Sequence, residues 1–193
     1  MENIHYNEFS VLRRHGAGFL RADLIVLITG LPGTGKTTLA RELARRTQGA
    51  LLGKDELRAA LFSPEEIEYS VQQDDFVMEL MLAAARYLLQ LAPQRKIFLD
   101  GRPFSRRYQI DRVLEFAEEL AQSWTILECT CSDESAKRRL DREPDPSHPA
   151  HNRSFALYRE VQAHFEPITY PKTTISTDQP LAQCIDHALA ALT

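Results

Sequence analysis

The chain has 193 residues, 44% of them hydrophobic, which suits one globular domain with a substantial core and leaves too little for two. Its formal net charge of −4 gives no electrostatic reason to bind duplex nucleic acid or anionic lipid tightly, since those partners select a basic face. No apolar run reaches the roughly eighteen residues of a membrane span, and the first residues do not read as a secretory leader, so a cytoplasmic protein with no membrane contact is expected.

Residues 1–23 have mixed polarity and no clear period, and read as an extension. The apolar run Leu24-Ile25-Val26-Leu27-Ile28 predicts a strand. It is followed by Gly30-Leu31-Pro32-Gly33-Thr34-Gly35-Lys36-Thr37 and then by a helical pattern that starts at Thr38 and ends near Gly49, a residue suited to the position after a helix. A short strand, Ala50-Leu51-Leu52, leads to a short helix from Asp55 to about residue 62. Ser63-Pro64-Glu65-Glu66 has the form of a capping box and predicts the start of a long helix, with Ile67, Val71, Met78, Met81, Ala85 and Leu88 on its core-facing stripe.

A third strand, Lys96-Ile97-Phe98-Leu99-Asp100, ends in an acid. Ser105 is the expected cap of a helix running to about residue 122. Residues 124–129 read as a fourth strand, and Cys129 and Cys131, in the strand-like run at its end, as sheet or core thiols; with Cys184 they are too few for a disulfide framework. Ser132 predicts a helix through Arg142. Pro144, Pro146 and Pro149 make the next stretch irregular, and a lid loop is expected there. A helix over about 152–165, a fifth strand at 173–176 and a last helix opened by Pro180 complete the chain. Alternating strands and helices predict an α/β fold with a parallel sheet covered on both faces.

The segment from Gly30 to Thr37 fits G-x-x-x-x-G-K-[ST] at every fixed position, with the required strand before it and helix after it. Glycines let the backbone wrap a polyphosphate, the helix start contributes positive charge, Lys36 reaches the terminal phosphates, and the Thr37 hydroxyl can ligate Mg²⁺. Ligands in open α/β sheets collect beyond the carboxyl ends of the strands, which puts Asp55, Asp100, Arg102 and Thr177 on this same rim. Asp55 would take the proton of an attacking hydroxyl and Arg58, three residues on, would hold the acceptor; the plain alternative is a capping Asp with a solvated Arg. Asp100 would order Mg²⁺ or touch the acceptor. Arg102, and less so Arg106 and Arg107, are candidates for acceptor contact. Arg138 and Arg142, neighbours on one helix face, would close on the transferring group. His148 and His151 lie in the Pro-rich loop with no evident partner.

These residues resemble the small P-loop kinases of the AAA-like ATP-binding family, which includes polynucleotide 5′-hydroxyl kinases and relatives of chloramphenicol phosphotransferase and zeta toxins. The resemblance covers residues 24–192, nearly the whole chain, on the phosphate loop, Asp55-x-x-Arg58, Asp100 and the Arg-bearing segment 137–142. It implies a five-stranded parallel sheet in the order 2-3-1-4-5, a kinase domain over 24–193 and a lid around 133–152. The implied cofactors are ATP and Mg²⁺. Gly30, Leu31, Pro32, Gly33, Thr34, Gly35, Lys36, Thr37, Thr38, Arg138 and Thr177 would hold the nucleotide, and Thr37 and Asp100 the metal. The chain lacks the triple-glycine motif of shikimate kinases and the Lys-Gly-Leu-Tyr signature of adenylylsulfate kinases. A small-molecule hydroxyl is the expected acceptor. The alternatives are a nucleic-acid 5′-hydroxyl, which the acidic charge disfavours, and a non-catalytic ATP-binding module or slow NTPase switch.

Overall fold

A computed structural model describes residues 25–142 and 154–192. The expected extension, the Pro-rich lid stretch, His148 and His151 lie outside the described residues. The elements in order are β1 (Ile25–Thr29), α1 (Lys36–Thr47), β2 (Ala50–Gly53), α2 (Lys54–Leu61), a 3-10 turn (Pro64–Glu66), α3 (Val71–Leu91), β3 (Ile97–Asp100), α4 (Arg107–Glu119), β4 (Trp124–Thr130), α5 (Asp133–Leu140), α6 (Phe155–Ala163), β5 (Thr173–Ser176) and α7 (Leu181–Ala190).

The five strands are all parallel, in the order β2-β3-β1-β4-β5. Alternation along β1 divides the core, because successive side chains point to opposite faces. Ile25 and Leu27 meet α3 and α4 through Met81, Ala85, Val113 and Phe116. Val26 and Ile28 meet α1 and α7 through Leu39, Leu43, Ile185 and Ala188. β1 is buried on both faces, as a near-continuous apolar run in a parallel sheet should be.

The sequence-based boundaries move in several places. The Ser63–Glu66 capping box exists, with Ser63 N–H donating to Glu66 Oε2 at 2.9 Å, but it heads only the 3-10 turn. Tyr69 adopts a left-handed φ of 51° and breaks the chain direction, with its ring 5.1 Å from the Arg58 guanidinium. Ser70 then caps α3 by accepting from Gln73 N–H at 3.2 Å. Ile67 therefore falls outside the helix and Val71 is 60% exposed, while Met78, Met81 and Ala85 form the buried stripe.

At the end of α1 the left-handed residue is Gln48, not Gly49. Gly49 instead admits the Phe98 ring, which would stand 2.6 Å from an added Cβ. Ser105 is displaced as cap by Arg106, because its carbonyl accepts from Glu166 N–H at 2.9 Å. α4 stops at Glu119, α5 at Leu140 and α6 begins at Phe155, each two or three residues inside the expected span.

Two positions of the expected α3 stripe separate the two readings. Met81→Ala should cost about 2–5 kcal/mol, the usual range for emptying a fully buried site. Val71→Ala should stay within about 0.5 kcal/mol, as surface changes do. Urea unfolding midpoints measure both; comparable losses would restore Val71 to the core.

Candidate active site

β1 delivers the chain into the phosphate loop at Gly30, whose φ of 135° and position 2.2 Å (from a would-be Cβ) below the Cys129 carbonyl exclude any side chain. The loop is tied internally: the Thr34 hydroxyl donates to the Leu31 carbonyl at 2.7 Å, and Lys36 Nζ donates to the same oxygen at 2.8 Å. Gly35, with φ 81°, precedes α1, and no side chain caps the first N–H groups of that helix. Its first turn also carries no acidic residue. Uncapped N–H groups and the positive end of the helix dipole together favour an anion.

The loop forms one side of a cleft of about 570 Å³, lined there by Pro32, Gly33, Gly35, Lys36, Thr37 and Thr38. The opposite wall comes from α2 and the start of α3. α2 begins at Lys54, so Asp55 sits inside its first turn rather than at the cap. Arg58 Nη1 donates to Asp55 Oδ1 at 3.1 Å, as the i,i+3 spacing allows. Arg58 Nη2 and Lys54 Nζ both donate to Asp74 Oδ1, the latter at 2.7 Å. Lys54 Nζ also lies 3.8 Å from Asp55 Oδ1. Lys54, Asp55, Arg58, Tyr69 and Asp74 all line the cleft.

Burial governs the electrostatics of this wall. It pushes the Asp55 carboxyl above the ordinary carboxylate range, against the pull of Lys54 and Arg58. It lowers the Lys54 amine to about 7 despite the nearby carboxylates. Arg58 is 2% exposed, and its Nε has no hydrogen-bond partner among the described residues.

Asp100 ends β3 behind the loop, 1% exposed. Burial raises its carboxyl, opposed by the Thr37 hydroxyl, Lys36 and the Gly101 N–H. Its Oδ1 has no hydrogen-bond partner among the described residues. An orphaned carboxylate oxygen beside a hydroxyl fits a hard cation that draws its other ligands from water and phosphate, as Mg²⁺ does. Among the described residues no cluster of three His, Cys, Asp or Glu side chains could hold a metal by itself.

The remaining candidates scatter. Arg102 is buried and pairs with Asp75 at 2.6 Å, facing a separate cavity of about 410 Å³ between α3 and α4 instead of the main cleft. Arg106 pairs with Glu166 at 3.2 Å. Arg138 turns back along its own helix to Ser135 Oγ at 3.1 Å. Arg142, just past α5, lines the cleft. Thr177 touches the back of the phosphate loop, its hydroxyl donating to the Thr34 carbonyl at 2.9 Å.

Two residues that sequence reasoning passed over belong to this arrangement, and so does Arg139, one of the three arginines of the 137–142 segment among which the sequence does not choose. Asp74 and Lys54 complete the buried charge cluster, and Asp74 was hidden by the misplaced start of α3. Arg139 contacts the Gly33 carbonyl at 3.2 Å. A signal for it existed: Ala136 and Leu140 mark the inward face of α5, and Arg139 falls between them at helical spacing where Arg138 does not.

A parallel five-stranded sheet in this order, carrying this loop at the end of its central strand, is the P-loop nucleotide-binding fold. The chain belongs to the AAA_33 family of AAA domains, which it matches over residues 25–168. It is 27% identical over 188 residues to the adenylyl-sulfate kinase of Chloroflexus aurantiacus, covering 89% of this chain and 90% of that one. It is also 27% identical over 134 residues to the adenylate kinase of Thermococcus onnurineus, covering 63% and 67%. Among solved structures, a gluconokinase from Sinorhizobium meliloti aligns with a TM-score of 0.61 at 18% identity, over 89% of this chain and 93% of that one, a likeness of fold. No helix among the described residues is long and apolar enough to cross a membrane.

Lys54 makes folding stability depend on pH. Its amine titrates near 7 in the fold and near 10.5 when solvated, so within that window the unfolded chain binds more protons than the native one. Stability attributable to Lys54 therefore rises as pH climbs from about 7 toward 10.5. Urea unfolding of wild type and Lys54→Met at pH 7, 8 and 9 reads the difference. The wild-type midpoint should climb relative to that of the variant, and parallel profiles would contradict a depressed amine.

Proposed function

We propose that the protein transfers the γ-phosphoryl group of ATP to a hydroxyl of a small molecule. The observation that carries this reading is the opposition, across one cleft, of the phosphate loop and the Asp55 carboxylate. Backbone N–H groups of the loop and Lys36 bind the phosphate tail, and Lys36 exchanges its contact with the Leu31 carbonyl for the terminal phosphates. Thr37 and Asp100 would hold Mg²⁺, which would supply charge neutralisation on the phosphates.

Asp55 accepts the proton of the attacking hydroxyl. Its raised pKa brings it nearer to neutrality, where a carboxylate is a better base, while Arg58 and Lys54 keep it anchored. Arg58 and Tyr69 face the acceptor. Arg142 is the lid-side cation that neutralises charge as the phosphoryl group moves. Arg138, turned to Ser135, is less suited to that task than its spacing implied. Arg102 acts at a distance, by holding α3 against the β3–α4 turn.

The wall facing the phosphate loop sets two basic side chains, Lys54 and Arg58, against two carboxylates, Asp55 and Asp74. Such a self-neutralised surface suits a compact polar alcohol better than a polyanionic strand, in line with the net charge of −4.

Transfer of radiolabelled phosphate from ATP to panels of metabolites, antibiotics and oligonucleotides tests the acceptor class. Labelling of a small alcohol is expected, and labelling confined to oligonucleotides would overturn it. With the acceptor found, Asp55→Asn should lower kcat by about 10²–10⁴ while nucleotide affinity stays. Undiminished transfer would remove Asp55 from the chemistry. Lys36→Ala should weaken both binding and transfer.

A further inference from the structure

α5 is fastened to the rest of the rim at both ends. At its start, Ser132 N–H donates to Asp178 Oδ2 at 2.8 Å. At its end, Arg139 Nη2 donates to the Thr177 carbonyl at 2.7 Å, and Nη1 to both Thr177 Oγ1 at 3.0 Å and the Gly33 carbonyl at 3.2 Å. Leu140 fills the space a Cβ on Gly33 would take, 2.9 Å away. The phosphate loop thus rests on α5 through one guanidinium and one leucine.

A hydroxyl has a single proton. Arg139 donates to Thr177 Oγ1, so that oxygen must send its own proton elsewhere, and the carbonyls in reach are Thr34 at 2.9 Å and Thr130 at 3.1 Å. Holding the Thr34 carbonyl from behind has a geometric consequence. The peptide is planar and trans, so the N–H of Gly35 points the opposite way, toward the cleft that Gly35 lines. Arg139 therefore bears on the loop from the side away from the cleft, through partners that are all protein atoms.

We propose that Arg139 and Thr177 form a clamp that presets the phosphate loop, so that Arg139 is a positioning residue which acts on the phosphates through the backbone of residues 33–35. Lysine cannot replace it, because one ammonium cannot reach the Gly33 and Thr177 carbonyls and the Thr177 hydroxyl from a rigid fork. This rests on nucleotide binding at the loop and not on the identity of the acceptor, so binding is the quantity to measure.

Calorimetric titration of Mg·ATP and of Mg·tripolyphosphate into wild type, Arg139→Lys, Thr177→Val and Thr177→Ser tests the clamp, with thermal melts establishing that each variant is folded. Arg139→Lys and Thr177→Val should weaken both ligands by the same factor, about tenfold, and Thr177→Ser should retain wild-type affinity. The double variant Arg139→Lys/Thr177→Val should be little worse than either single change, since the two act as a unit. If Arg139→Lys weakens ATP and spares tripolyphosphate, Arg139 contacts the nucleoside and the clamp is wrong. Unchanged affinity in Thr177→Val, or additive losses in the double variant, would also overturn it. Wild type that binds neither ligand would instead remove the proposed function itself.

Discussion

Everything at the site follows from parallel strands ending on one rim. β1 is paired on both sides, Leu27 with Leu99 and with Ile126, and that register brings Thr29 level with Glu128 and places Asp100 beside the start of the phosphate loop. β3 in turn holds Gly53 opposite Asp100, which sets α2 and its Asp55 across from the loop. A one-residue slip would send each of these side chains to the other face. The two apolar layers that lock the register, with α3 and α4 on one side and α1 and α7 on the other, are therefore what keeps a carboxylate and a phosphate cradle in one cleft.

The second demand on the fold is electrostatic. Lys54, Arg58 and Arg102 are nearly inaccessible to water, a costly placement for charge. Each is offset by a carboxylate from a neighbouring element, and Asp74 serves two of them at once. The result is a wall in which Asp55 is largely withdrawn from solvent and held by Arg58. Across the cleft the phosphate loop is held differently, by backbone carbonyls anchored from behind and N–H groups left open in front. One wall presents a partly shielded carboxylate and the other the open end of a helix.

Much of this was legible in the sequence, for identifiable reasons. Strand and helix periods differ, so the order of elements could be read directly, and the phosphate loop has a motif whose residue types are dictated by its ligand. The break at Tyr69 could not be read, because a tyrosine at positive φ is held by a tertiary contact with Arg58 and carries no local signal. That one error concealed Asp74 and gave Val71 a core role. Arg102 lay on the expected rim, yet its direction depended on Asp75, a residue of a helix distant in sequence. Arg138 and Arg139 differ only in helical phase, which the burial of Ala136 decides.

The most direct measurement is a crystal structure with Mg²⁺ and a non-hydrolysable ATP analogue. The account predicts phosphates within the Gly33–Thr37 cradle, Lys36 Nζ moved from the Leu31 carbonyl onto the terminal phosphates, and the metal between Thr37 and Asp100. Phosphates bound elsewhere, with Lys36 still on Leu31, would contradict it.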